Sequence, residues 1–346
     1  MKSFILCTFA LSVSLAAALL SSCGGLQLAI WSPHLFSSGA YSPSSRPLIA
    51  SALQSPARVA KTPGYKVSGP LLYVSNFESP PYDGVTIYNA KENNPSPVAV
   101  INENIFEPDG DCIDADGTLY VANDPGSGPG WVSEYALGTT KTLRVITDGI
   151  NFPAFCAIDS SGNLWVTNVG GPVTEYLKGS TVPHFTLTNG LTNPDGLAID
   201  HSGNVYVGNL NAPYAQSNVQ VYPPGKTSPS RTITDGIRWP VGIGVDAQGT
   251  LYVTNDVPPC SIEEYPAGKS HPYQTISKDI DDPTAVTFEP AGRMYLVSEG
   301  KLGCSNNGRW PAILEFRPDT LSRTNRMISN DLHTPVDAAY YPPLLP

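Results

Sequence analysis

The chain has 346 residues, of which 41% are hydrophobic and only 14% charged, with 31 glycines and 34 prolines. That composition suits many short strands joined by tight turns and excludes a helical or coiled-coil architecture. A net charge of −10 at pH 7 argues against nucleic acid as a partner and against electrostatic docking on a membrane, since both require basic patches.

Taken in order, Lys2 precedes an apolar run from Phe4 to Leu20 that ends in Leu20-Ser21-Ser22-Cys23-Gly24. A basic start followed by a short apolar run reads as an export signal rather than as a fold element. The Leu-Ser-Ser-Cys tetrad resembles the lipobox of bacterial lipoproteins. That resemblance implies a signal peptide over 1–22, a lipidated Cys23 as the first mature residue, and membrane attachment through its acyl chains. It also implies an exported lipoprotein of a bacterial cell envelope. Gly24 stands where an aspartate holds many lipoproteins at the inner membrane, which favours the outer membrane. An ordinary cleaved signal and an uncleaved anchor are the other readings of the same run. No other stretch approaches the roughly twenty apolar residues of a membrane span. Residues 23–69 are rich in Ser, Pro and Ala without a sustained period. Such a segment buries too little apolar surface to offset its ordering entropy and is expected to be a tether, docking from Tyr65 onward.

From residue 70 one pattern recurs. Pro108 to Asn123 returns as Pro153 to Asn168, Pro194 to Asn209, Pro240 to Asn255 and, more loosely, Pro283 to Ser298, at a spacing of roughly 45 residues. Each copy holds a proline, an alternating apolar run, a turn with a glycine, and an apolar-aromatic run ending in a small polar residue. That is a β-hairpin. Proline lacks the N–H of a ladder and belongs at a strand entrance. Asp114, Asp159, Asp200 and Asp246 are placed to fold their carboxylates onto turn N–H groups, beside glycines that accept positive φ. Two further strand candidates follow each hairpin, such as Trp131 to Ala136 with Thr142 to Thr147.

The ends of the series are incomplete in complementary ways. Leu71 to Asn76 matches only the second half of the hairpin, and Pro335 to Tyr341 only the first. If the two halves pair, the array closes and leaves no open sheet edge. Six units of four strands predict an all-β fold, a six-bladed β-propeller over 70–346 whose C-terminal strand closes the first blade.

Four cysteines fall in this region. Cys260 and Cys304 occupy corresponding loops of neighbouring blades, and a disulfide between them is expected. Cys112 and Cys156 lie in the first strands of adjacent blades at offsets four and three, so alternation turns them in opposite senses. They either face each other across the blade interface or point apart.

The pattern Pro-x-Gly-(Leu/Ile)-(Ala/Gly)-(Ile/Val)-Asp-x-x-Gly-x-(Leu/Val)-Tyr-Val-x-Asn, clearest at Pro194 to Asn209 and Pro240 to Asn255, resembles an NHL repeat. The Pro108-Asp109-Gly110 copy is also similar to the Pro-Asp-Gly segment of the gluconolactonase and senescence-marker-protein family of six-bladed propellers. The second resemblance implies a divalent metal held partly by an aspartate that maps onto Asp109 or Asp195. The Glu-Gly-Pro segment that supplies the family's glutamate ligand is missing, with Asp337 the candidate substitute.

In an antiparallel hairpin the opening prolines and the terminal Asn or Ser lie at one end. Asp109, Asp195 and Asp337 are thereby expected beside Asn76, Asn123, Asn168, Asn209 and Asn255. These oxygens suit a hard cation such as Ca²⁺ or a polar ligand, and no cofactor is firmly implied. Equally, each asparagine suits a cap on its own strand. Long loops on the same side carry Tyr82, Tyr214, Arg309 and Trp310, residue types that anchor interfaces. Two functions follow. One is a surface-tethered propeller binding a protein, peptide or glycan through its long-loop face, with Asn123, Asn209 and Asn255 among the contacts. The other is a metal-dependent hydrolase or lyase working in the central channel with Asp109 and Asp195. No Gly-x-Ser-x-Gly elbow and no histidine cluster adds a further enzyme class.

Overall fold

Six sheets of four antiparallel strands surround one axis in the computed structural model, which describes residues 64–78, 83–278, 280–300, 304, 311–317 and 320–346. The expected signal peptide, Cys23 and nearly all of the tether lie outside the described residues, as do Tyr82, Arg309 and Trp310. The innermost strands are Pro335–Tyr341 in blade 1, Pro108–Ile113 in blade 2 and Pro153–Ile158 in blade 3. Those of blades 4 to 6 are Pro194–Ile199, Pro240–Val245 and Pro283–Phe288. Each contacts its counterpart in the blade before and after, so the ring is closed.

Closure works through the two half-hairpins. Pro335–Tyr341 pairs antiparallel with Leu71–Asn76, Tyr73 opposite Ala339, and that sheet continues outward through Gly84–Asn89 and Ala99–Ile101. Just before it, Tyr65 donates its N–H to Gly138 O at 2.9 Å, and its ring meets Tyr73 edge-on with the hydroxyls 2.7 Å apart. Within the described residues, the segment ahead of the first blade is thus docked at Gly64 and Tyr65.

The turn aspartates are structural. Asp114 Oδ1 accepts the N–H groups of Asp116 and Thr118, and Asp159, Asp200 and Asp246 repeat the arrangement. A second repeated device lies in the third strands, whose Tyr88, Tyr135, Tyr176, Tyr222 and Tyr265 are almost wholly buried. Each hydroxyl donates to a linker carbonyl, as Tyr176 does to Asp148 O at 2.6 Å and Tyr265 to Asp235 O at 2.6 Å. The apolar face is thereby buried while the phenol keeps its hydrogen bond.

The core lies between blades: Tyr206 and Val221 of blade 4 pack with Ile243 and Val253 of blade 5. Counting from the opening proline, even positions of an innermost strand face the following blade and odd positions the preceding one. Gly110 and Gly242, both second, show how close that approach is. A Cβ on Gly110 would lie 2.5 Å from Ala154 O, and one on Gly242 2.4 Å from Thr284 O. The recurrent glycine therefore answers to inter-blade spacing.

The same alternation decides the cysteines. Cys112 is fourth and Cys156 third, so they meet across the seam of blades 2 and 3 as a disulfide with Cα atoms 5.7 Å apart. Opposite parity is what a bond between facing sheets requires. Cys260 and Cys304 are also bonded, with Cα atoms 5.4 Å apart, joining loops of blades 5 and 6.

Candidate functional site

The end of the ring carrying the strand-opening prolines is built by one hydrogen-bonded rung per blade. The residue after each second strand donates its N–H to the carbonyl of the residue immediately before the opening proline. The six rungs are Phe77 to Thr334, Asp124 to Glu107, Val169 to Phe152, Leu210 to Asn193, Asp256 to Trp239 and Glu299 to Asp282.

Beneath each rung in five blades sits the asparagine. Asn123 Oδ1 accepts Phe106 N–H at 3.0 Å while its Nδ2 donates to Val121 O at 2.9 Å. Asn255 Oδ1 accepts Arg238 N–H at 2.8 Å and its Nδ2 donates to Gly236 O at 2.8 Å. Asn209 takes the N–H groups of Thr192 and Asn193, and Asn76 and Asn168 act alike. These carboxamides, all nearly inaccessible, fasten each hairpin to the linker that enters it. This is the capping arrangement, carried across to the neighbouring segment.

The rungs differ in chemistry, and the difference is the main feature of this face. Blades 2, 5 and 6 place five carboxylates there: Glu107, Asp124, Asp256, Asp282 and Glu299. Blade 1 places Phe77 and Thr334, blade 3 Phe152 and Val169, and blade 4 Leu210 and Asn193. Burial pushes the Asp124 carboxyl up to about 7, the charges of Asp109 and Glu107 adding to the effect and the Gly126 N–H opposing it. Asp83 is raised to about 6, again chiefly by burial, with Glu107 contributing. Between the apolar arc and the acidic rung of blade 5 stands Tyr214, half exposed in the short 3-10 turn Tyr214–Gln216. Its ring meets buried Trp239 edge-on at 4.9 Å. Of the four loop anchors expected from sequence, Tyr214 is the one within the described residues.

The expected metal ligands are not gathered. Asp109 lies on blade 2, Asp195 on blade 4 and Asp337 on blade 1, and both Asp109 and Asp195 are fully buried. Among the described residues, the sole set of three or more His, Cys, Asp or Glu ligand atoms within 4.8 Å of one another is Asp256, Cys260 and Cys304. Two of those three are joined as a disulfide.

The acids the fold does bring together are Asp337 and Asp111, across the seam of blades 1 and 2. Asp111 N–H donates to Asp337 Oδ2 at 2.9 Å, and Ser75 Oγ donates to Asp111 Oδ2 at 2.7 Å. Both acids line the axial cavity. Burial first, and then the Asp337 charge, push the Asp111 carboxyl well above the usual carboxylate range. Asp111 was not among the expected site residues. The signal was available, since the other strands place Cys156, Leu197, Ile243 and Val286 at its position.

A stability effect follows. Native protein retains a proton at Asp111 that the unfolded chain releases near pH 4, so this group's contribution falls as pH rises from there through its native value. The full slope is about 1.4 kcal/mol per pH unit. Asp111→Asn keeps an acceptor for Ser75 and offers Asp337 a donor. In urea titrations it is expected to be more stable than wild type near pH 8, with the gap closing toward pH 4. A gap that does not change with pH would show that Asp111 is ionised in the native state.

No protein-family model matches the chain, and no curated protein matches it in sequence. Among solved structures, a protein of unknown function from Bacteroides caccae is similar with a TM-score of 0.61 at 12% identity, over 79% of this chain and 99% of that one. The likeness is one of fold alone. A chain of hydrazine synthase from Kuenenia stuttgartiensis aligns with a TM-score of 0.48 at 17% identity over 61% of this chain; the match spans 62% of its length, less than two thirds. A six-bladed propeller is compatible with a binding or scaffold role.

Proposed function

We propose that the protein is a recognition propeller, held at a bacterial cell envelope through Cys23, that binds a protein or peptide bearing both basic and apolar side chains on the face of the opening prolines. The observation that carries this reading is that the rungs of blades 2, 5 and 6 bear carboxylates, whereas those of blades 1, 3 and 4 bear Phe77, Phe152, Val169 and Leu210. Glu107 and Asp256, the partly exposed acids of this set, attract cationic side chains, with apolar residues on the same face offering a contact. Tyr214, held against Trp239 and half exposed, is an anchor of the type that interfaces favour. The NHL-like repeat and the lipobox-like tetrad Leu20 to Cys23 support a scaffold presented from a membrane surface.

The test is a peptide array and a glycan array probed with the full chain. Bound peptides are expected to be enriched in Lys and Arg together with aliphatic or aromatic residues. Binding is expected to fall in Glu107→Gln/Asp256→Asn and in Tyr214→Ala. Enrichment of acidic peptides, or binding confined to the glycan array, overturns the reading. Affinity for a basic peptide is expected to rise as pH goes from about 5.5 to about 8, because Asp124 and Asp83 gain charge over that range. The gain is several-fold and at most about tenfold, one charge-assisted hydrogen bond contributing about 1.5 kcal/mol. Asp124→Asn is expected to reduce the pH dependence, leaving the smaller share due to Asp83.

A further inference from the structure

The ring encloses a chamber of about 150 Å³ on its axis, toward the turn end of the innermost strands and away from the face just described. Nearer the proline end, the close approach of the strands at Gly110, Gly196 and Gly242 narrows the space. At the turn end, residues 343–346 line it, and Leu344 and Leu345 pack onto the apolar clusters of blades 5 and 6 and of blades 2 and 3. Ile113, Ile158, Ile199 and Val245 contribute aliphatic side chains from four strands, beside a larger share of polar surface. Among the described residues, Asp111 and Asp337 are its only acidic side chains. Asp111 is 4% exposed, and while its Oδ2 takes the Ser75 hydroxyl, its buried Oδ1 accepts no hydrogen bond.

The geometry points to a binding site for a small primary alkylammonium in this chamber, its nitrogen at Asp111 and Asp337 and its alkyl body along the aliphatic wall. The donor set separates this ligand from a metal. Calcium takes six to eight oxygens and favours several carboxylates, whereas Asp111 and Asp337 are the two acidic side chains on the wall. An ammonium group has three donors on a compact charge, which matches two carboxylates, and its chain gains from leaving water. Burial, and then the Asp337 charge, push the Asp111 carboxyl upward and favour its protonated form when no cation is beside it. Besides Asp337, the ionisable group acting on Asp111 is Tyr73, whose hydroxyl is engaged with Tyr65. A cation beside the pair favours the ionised carboxylate, so binding is expected to be coupled to proton release. Entry requires the half-buried residues 343–346 to move aside. The site lies apart from the proposed recognition face, so neither reading depends on the other, and different variants test them.

The probe is n-butylammonium, compared at equal ionic strength with n-butanol, n-butyrate and tetramethylammonium, by calorimetry and thermal unfolding of the full chain near pH 7. Saturable binding of butylammonium alone is expected, with proton release measured in buffers of different ionisation enthalpy. Asp111→Asn and Asp337→Asn are each expected to weaken it by tenfold or more. Ala157→Leu, which fills the chamber and leaves both acids in place, is expected to abolish it and serves should an acid variant fold poorly. Equal binding of butanol, equal affinity in the acid variants, or no saturable binding at tens of millimolar overturns the proposal.

Discussion

Oxidised full chain carrying Cys112→Ser and Cys156→Ser is expected to be about 4 kcal/mol less stable than wild type. The bond closes a loop with a sequence separation of 44, and on the chain-entropy model that constraint on the unfolded ensemble sets the figure. The native side adds to it, because the two positions are 8% and 6% exposed within an apolar seam, where serine hydroxyls lose water without a designed partner. Urea unfolding is the measurement, with the midpoint falling and the slope reporting any expansion of the denatured state. Loss of less than about 1 kcal/mol would mean that the unfolded chain already holds blades 2 and 3 together. The Cys260–Cys304 bond spans an equal separation of 44, and Cys260→Ser/Cys304→Ser is expected to lose a comparable amount.

Gly242→Ala is expected to cost more than about 3 kcal/mol or to prevent accumulation of folded protein, the upper range of overpacking effects. The added Cβ would stand 2.4 Å from Thr284 O, 2.6 Å from Ala285 Cα and 2.8 Å from Thr254 Oγ1. Two of those atoms are backbone of the next innermost strand. In an open stack the neighbouring blade could swing outward, but in a closed ring that displacement compresses another seam. Gly69→Ala is the control: nothing lies within 4 Å of the added carbon and the backbone is not left-handed, so the change is expected to fall within about 0.5 kcal/mol of wild type. Equal stability of the two variants would show that the seam of blades 5 and 6 yields easily.

Much of the architecture was legible in the residues because a propeller writes its unit repeatedly. The hairpin from Pro108 to Asn123 carries its own register in a proline that cannot donate, a turn aspartate and an alternating run, and the structure pairs Pro108 with Asn123 as that pattern demands. The split halves at Leu71 and Pro335 predicted closure for a thermodynamic reason, an unpaired edge seeking a strand, and Tyr73 opposite Ala339 realises it. The asparagines were legible as a repeat but not as to use. A side-chain amide at a strand end serves a ligand or a linker equally well until the position of the linker is known.

The candidate sites were less legible. Asp109 and Asp195 stand out in sequence because they share a motif, yet they lie on blades 2 and 4 and form no set of three ligand atoms within 4.8 Å with Asp337. Asp111 is hidden within the same strand, and its significance depends on meeting Asp337 from residues 226 positions later.

What the amino-acid order determined by itself is the local unit, its number and its closure, because each rests on steric and hydrogen-bonding preferences within a few residues. Which side chains face each other was decided only by tertiary structure. Neighbouring sheets oppose even positions of one strand to odd positions of the next, and through that offset Cys112 meets Cys156 and Asp337 meets Asp111.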